Sequence, residues 1–141
     1  MRVAKFSVSG EVRFGIVDGP ELVVLKGHPL FSNYETTGER VAIKDVQLLP
    51  PTLPTSKLIC IGKNYADHAA EMGGEAPAEP LIFLKPLTAA IGQGESIVLP
   101  AMSQQVDHEC ELAVVISSVD KNVPAEKALD YVWGYTIAKD V

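Results

Sequence analysis

Cysteine, tryptophan and basic charge are all scarce in this chain. Only two cysteines, Cys60 and Cys110, occur in 141 residues. They are too few and too isolated for a disulfide framework. Each lies in an apolar stretch, so both are expected as buried thiols of a protein from the reducing cytoplasm. No apolar run reaches the roughly 18 residues of a membrane span. The N-terminal MRVAKFSVSGEVRF lacks the apolar region of a signal peptide. Basic residues are outnumbered, with 12 Lys and Arg against 18 Asp and Glu and a net charge of −6. That balance argues against a nucleic-acid partner, whose phosphates call for a basic face. There is no Gly-rich phosphate loop before a helix, and no CxxC, HExxH or GxSxG pattern. Nucleotide, zinc-protease and serine-hydrolase readings therefore have no support. Repeats and low-complexity tracts are also missing.

What is present reads as a soluble globular chain, with 47% hydrophobic and 21% charged residues. The length suits one domain, or one with a small appendage. Composition shifts once, at LLPPTLPTSK, where Pro50, Pro51 and Pro54 remove backbone donors and fix φ. Residues 48–56 are thus expected as a stiff linker between a first segment, 1–47, and a second, 57–141. The first segment is β-rich. Residues 2–8 and 11–17 are rich in β-branched and aromatic types, with Ser9-Gly10 as a hairpin turn between them. Asp18-Gly19-Pro20 marks a second turn before a strand over 21–25. Residues 26–47 carry no decisive pattern.

In the second segment, strands are expected over 58–61, 81–84, 96–99, 105–116 and 131–138. Asn64 suits a helix N-cap, with a helix from Tyr65 to about Met72 stopped by Gly73-Gly74. Pro124 suits the first turn of a short helix reaching about Asp130. The class is α+β and predominantly β.

The sharpest local signal for chemistry is VDHECELAVVI, residues 106–116. In a strand, side chains alternate between faces, so Glu109 and Glu111 point the same way with Cα atoms roughly 6.5–7 Å apart. Two carboxylates entering an apolar strand either face water or share a cation or a proton. A hard divalent ion suits carboxylate oxygens. His108 falls on the apolar face, which suggests a hydrogen-bonded core histidine. In NYADHAAE, His68 and Glu71 are spaced i,i+3 on one helix face. They are either ordinary surface charges or a His–carboxylate pair able to orient water as a general base. Lys85, before Pro86, and Lys63, after Gly62, are either solvated strand-end lysines or contacts for an anionic oxygen. His28 reads as a loop histidine. Asp140 has no signal from pattern alone.

These pieces fall in a recognisable order. LICIGKNYADHAAEM, PLIFLKP, GESIVLP, VDHECELAVVI and ALDYVWGYTIAKDV together resemble the fumarylacetoacetate hydrolase family, over residues 57–141. The first 47 residues look like the small, variable β-rich domain that often precedes the core in that family. The resemblance implies a mixed β-sandwich roll and an enzyme dependent on Mg²⁺ or Mn²⁺, with Ca²⁺ as a further candidate. It implies cleavage or isomerisation of small 2-oxo acids and a homodimer in the full-length form, with no nucleic acid or membrane partner. It carries metal ligands onto Glu109, Glu111 and Asp140. His68 and Glu71 match a pair that positions and deprotonates water, and Lys85 matches a lysine near the metal. Lys63 and Tyr65 fall where substrate contacts are made. Implied activities are hydrolysis of acylpyruvate-like C–C bonds, oxaloacetate decarboxylation and 2-hydroxyhepta-2,4-diene-1,7-dioate isomerisation.

Three departures from the family pattern stand out. Lys139 replaces a common Asn and is expected to place a cation beside the metal site. Ser117 replaces a common Gly. The chain ends directly after the third implied ligand, which makes a truncated form the expectation. The rival reading is a non-catalytic fragment acting through β-pairing with a partner.

Overall fold

A computed structural model describes residues 1–51, 57–119 and 121–141. The proline-rich stretch expected as a linker lies largely outside the described residues. Two compact units are formed: Met1–Thr52 with Gly92–Val141, and Leu53–Ile91.

Most of the buried core of the first unit lies in a five-stranded antiparallel sheet. Its strands are β1 (Val3–Val8), β2 (Glu11–Asp18), β3 (Glu21–Lys26), β4 (Glu35–Ala42) and β5 (Gln47–Leu49), in the order β4-β3-β2-β1-β5. The turns follow from the sequence. Ser9 and Gly10 both have positive φ, 50° and 83°, the requirement of the type I′ turn whose twist matches its strands. Gly19, φ 57°, takes the left-handed position that Pro20 beside it cannot. Register places Ala4, Gly15 and Val24 in line, and beside them Leu48 and Phe6. Phe6, Leu22 and Val24 are fully or almost fully buried on this face, and Val17, Val41 and Ile43 pack against them. Gly15 makes this possible, since a Cβ there would lie 3.0 Å from Leu22 Cβ and 3.2 Å from Phe6 Cε1.

The opposite face of this sheet holds Lys5, directly across from Phe14 on β2 and Leu49 on β5. Lys5 is only 9% exposed, and this burial lowers its pKa. The His28 ring packs edge-on against Phe14, at 4.5 Å between centroids, and stacks on Phe31 at 4.6 Å. His28 Nδ1 accepts from the Leu30 and Phe31 amides. The loop histidine is therefore a structural pin. Beyond the core, Arg13 bridges Glu11 and Glu39, and Arg40 bridges Asp18 and Glu21.

The first unit also holds β8 (Glu109–Ile116) and β9 (Val132–Asp140), paired antiparallel as a two-stranded ribbon. A 3-10 helix, Ala125–Tyr131, precedes β9 with Pro124 at its cap. Ser117 closes the connection, its amide donating to Tyr131 O at 2.9 Å and its hydroxyl at 3.1 Å. The second unit is an antiparallel ribbon of β6 (Leu58–Gly62) and β7 (Leu81–Lys85) with helix α1 (Ala66–Glu71) between them.

Several expectations are corrected. Residues 96–99 form no strand, because no neighbour supplies a ladder, and Ile97, Val98 and Leu99 are exposed. β8 starts at Glu109 rather than 105, and His108 is exposed outside it rather than a core histidine. Asn64 does not cap α1; Tyr65 holds the N-cap position without a side-chain bond. Cys110 is exposed and Cys60 only half-buried, and neither forms a disulfide. Both sit on two-stranded ribbons, which have too few layers to bury a side chain.

Candidate functional site

In the first unit, the β8–β9 register decides how the acidic residues meet. Glu109 lies directly opposite Asp140, and Glu111 opposite Ala138. Residues opposite one another in an antiparallel pair share a face, at roughly 4.5–5.5 Å between Cα atoms. Glu111, two positions along, shares that face, diagonal to Asp140 at roughly 7–8 Å. The three implied metal ligands thus stand on one face of one ribbon. Neighbours on that face are the small Ala113, Thr136 and Ala138, which leave room above the carboxylates. Asp140, silent in sequence pattern, joins the acidic pair only through this pairing, across 30 intervening residues of chain.

Like charges directly opposite in a sheet repel, and a hard divalent cation is the ligand that carboxylate oxygens suit. The residues fit such an ion in donor chemistry and in facing. Among the described residues, however, no group of three or more His, Cys, Asp or Glu side chains is close enough to form a closed cation cage. Lys139 pairs with Cys110 and lies on the other face. The expected cation beside the carboxylates is therefore corrected: strand alternation turns Lys139 away from them.

The second unit carries the remaining candidates. His68 and Glu71 lie one turn apart on α1, with His68 Nδ1 3.9 Å from Glu71 Oε2. The helix is short but firmly ended. Gly74 N–H donates to Ala69 O at 3.0 Å and Gly73 N–H to Ala70 O at 2.9 Å. This is the paired bonding of a Schellman cap, with Gly73 in the left-handed region at φ 76°. Ala69 is fully buried and pins the helix, so His68 and Glu71 are presented on a fixed segment.

Lys63 follows β6 with φ 53°, a left-handed conformation that costs a lysine energy. It lines a groove of about 260 Å³ with Gly62, Asn64, Glu79 and Leu81. Gly62 allows the close approach here, since a Cβ would stand 3.1 Å from Leu81 Cδ2. The sequence marks Asn64 only as a helix cap and does not single out Glu79; a polar residue in a Gly- and Pro-rich stretch carries no periodic signal. Tyr65 stands beside this groove as the α1 N-cap, about two-fifths exposed. Lys85 pairs with Leu58 at the other end of the ribbon. Lys63 and Lys85 are thus separated by most of the strand length, on the order of 15 Å. The structure brings His68 and Glu71 together, and Glu109 and Asp140 together. It does not bring Lys63 and Lys85 together.

Known proteins are similar to this chain along its whole length. Residues 57–141 match the family model "Fumarylacetoacetate (FAA) hydrolase C-terminal", and residues 1–51 match "Rv2993c-like, N-terminal". Protein Rv2993c of Mycobacterium tuberculosis is 46% identical over 148 residues, covering 100% of this chain and 55% of that protein. A mitochondrial oxaloacetate tautomerase of Xenopus laevis is 45% identical over 97 residues, 69% of this chain and 30% of that protein. The crystal structure of 2-hydroxyhepta-2,4-diene-1,7-dioate isomerase from Mycobacterium marinum superposes with a TM-score of 0.84 at 37% identity, over 99% of this chain and 54% of that chain. The chain thus spans about half the length of the bacterial relatives that it matches end to end. With a family model matched over well over half of its residues and the fold shared with family structures, the chain belongs to the fumarylacetoacetate hydrolase family.

Proposed function

We propose that this chain serves a divalent-metal-dependent enzyme that hydrolyses C–C bonds in small acylpyruvate-like 2-oxo acids. The observation that supports it most is the Glu109–Asp140 register with Glu111 on the same face. Mg²⁺ or Mn²⁺ held by these carboxylates would supply Lewis-acid polarisation of a 2-oxo oxygen. His68, steadied by Glu71, takes a proton from water, and the hydroxide attacks the carbonyl distal to the carboxylate. The C–C bond then breaks, its electron pair passing to the pyruvate fragment as an enolate. His68 returns the proton to that carbon. One water is consumed, and pyruvate and a carboxylic acid are released. Lys63, beside its groove, suits a substrate carboxylate, and Lys85 suits a developing negative oxygen.

A second reading is enol–keto isomerisation or tautomerisation, favoured by the similarity to an oxaloacetate tautomerase and to a dienedioate isomerase. It needs the same enolate and a proton carrier, but no attacking water. The test is incubation with an acylpyruvate, and separately with enol-oxaloacetate, in the presence of Mg²⁺ or Mn²⁺. Equimolar pyruvate and carboxylic acid, lost on Glu111→Gln, support hydrolysis. Accelerated loss of the enol absorbance without new acid supports tautomerisation. No metal-dependent change in either substrate contradicts both.

A further inference from the structure

The loop that leaves β3 is organised around one side chain. Its ends meet at Gly27, whose φ of 94° lets the backbone pass where a Cβ would lie 2.4 Å from Asn33 O. Within residues 28–32, Pro29 has no N–H, which leaves four backbone donors. His28 N–H donates to Ser32 Oγ at 3.0 Å, and Ser32 N–H returns to His28 O at 3.0 Å. The other two, from Leu30 and Phe31, both donate to His28 Nδ1, at 3.2 and 3.4 Å. Residues 28 and 32 therefore satisfy every donor of this turn. An imidazole nitrogen accepts only when it carries no proton, so the ring is neutral, with its proton on Nε2. The ring lies between Phe14 of β2 and Phe31 of the loop, at 4.5 and 4.6 Å between centroids. It thereby joins the loop to the sheet face that carries Lys5.

We infer that His28 is an acid-sensitive latch: neutral, it closes the 28–34 loop on β2, and protonated, it releases the loop and uncovers Phe14. A proton on Nδ1 turns the acceptor into a donor. Both bonds are lost at once, and the Leu30 and Phe31 amides then face another N–H. The surroundings do not compensate an imidazolium. On the sheet face that Phe14 belongs to, the charged neighbour is Lys5, directly across from Phe14. Asp18 and Glu21, at the far end of that face, are engaged by Arg40. Lys26, which ends β3, stands opposite Glu35. Met1, with the terminal amine, meets the end of the loop, where Tyr34 Oη donates to its Sδ at 3.8 Å. Among the described residues, no carboxylate lies within ion-pair distance of the His28 ring. Cation–π contact with Phe31 would favour the charged ring, but it supplies no acceptor for the two amides. The proton binds more readily once the loop is open. The closed loop therefore loses stability as pH falls through the titration of the ring. None of the residues given a role in the proposed chemistry takes part.

The experiment follows the whole isotope-labelled chain by nuclear magnetic resonance from about pH 8 to about pH 5, the range of histidine titration. Ring nitrogen shifts give the tautomer of His28. Hydrogen exchange, corrected for its intrinsic pH dependence, gives the protection of the Leu30 and Ser32 amides. The expected result is a neutral ring protonated at Nε2. Protection of these amides should fall at least about tenfold once the ring is charged, with the amides of β1 and β2 still protected. His28→Asn keeps a side-chain acceptor within reach of the same amides and does not titrate in this range. Its loop should hold its protection throughout, while His68 and His108 titrate as before. The inference is overturned if the neutral ring carries its proton on Nδ1, or if the ring becomes charged with the loop still protected. It is equally overturned if the ring stays neutral to the end of the range, if β1 and β2 lose protection at the same pH, or if His28→Asn shows the pH dependence of the parent. Should that variant fail to fold, the tautomer and the exchange of the parent chain decide the matter.

Discussion

Two phenylalanines of equal size should lose very different amounts of stability on truncation. Phe6 is completely buried at the centre of the five-stranded sheet, with Leu22, Val24 and Gly15 around it. Phe83 lies on β7 opposite Cys60 and is 38% exposed. Phe6→Ala loses the transfer energy of the ring and leaves a cavity that a sheet held by Gly15 and Leu22 cannot collapse. The cost expected is about 3–5 kcal/mol. Only five hydrophobic residues are buried among the described residues, so this is a large part of the roughly 5–15 kcal/mol by which a domain is stable. Phe83→Ala begins from a ring already in water over much of its surface and should cost well below half as much. Denaturant titration followed by far-ultraviolet circular dichroism reads both. A loss under about 1 kcal/mol for Phe6→Ala, or equal losses for the two variants, would refute the assignment of the core to the N-terminal sheet.

Other expectations follow from the same structure. Gly27 has φ 94°, and a Cβ there would stand 2.4 Å from Asn33 O; Gly27→Ala should therefore destabilise the 28–34 loop by more than about 1 kcal/mol, seen as faster amide exchange at Leu30 and Phe31. Lys5 has its pKa lowered from 10.5 by desolvation. Between that lowered value and 10.5 the unfolded chain binds more protons than the folded one, so stability rises with pH across this window as the buried amine is neutralised. Lys5→Met should flatten that slope in alkaline denaturation curves and stabilise the sheet at neutral pH. His68→Ala should reduce hydrolysis of an acylpyruvate by at least about 100-fold, the scale of general-base catalysis, while affecting oxaloacetate decarboxylation less. Equal losses in parallel steady-state assays would remove the water-activating role.

Much of this structure is legible in the residues, and its gaps have physical causes. The first two turns, Ser9-Gly10 and Gly19-Pro20, specify themselves because their backbone conformations belong to few residue types. The β8 alternation places Glu109 and Glu111 together without further information. β4 escapes because ETTGERVA, mostly exposed at an edge, has no apolar alternation to read. The residues 96–99 mislead for the converse reason: SIVL has strand composition, but a strand exists only where a neighbour pairs with it. His108 and Cys110 mislead in a related way. Apolar alternation says which residues share a face, not whether another layer covers it. The same distinction governs the candidate site. Asp140 joins the acidic pair through strand register, and Lys139 leaves it through strand alternation. Neither pairing is contained in local spacing. The roles of these residues are what the family resemblance implies, and the ribbon gives their relative placement.

Under the proposed function, Glu109, Glu111 and Asp140 hold one divalent cation for 2-oxo acid chemistry. Isothermal calorimetry with Mn²⁺ on the chain, beside its Glu109→Gln variant and with circular dichroism on each sample, tests it most directly. One Mn²⁺ bound per chain, with binding lost in the folded variant, is the result expected. A folded chain that takes up no Mn²⁺, or a variant that binds it unchanged, would contradict the claim.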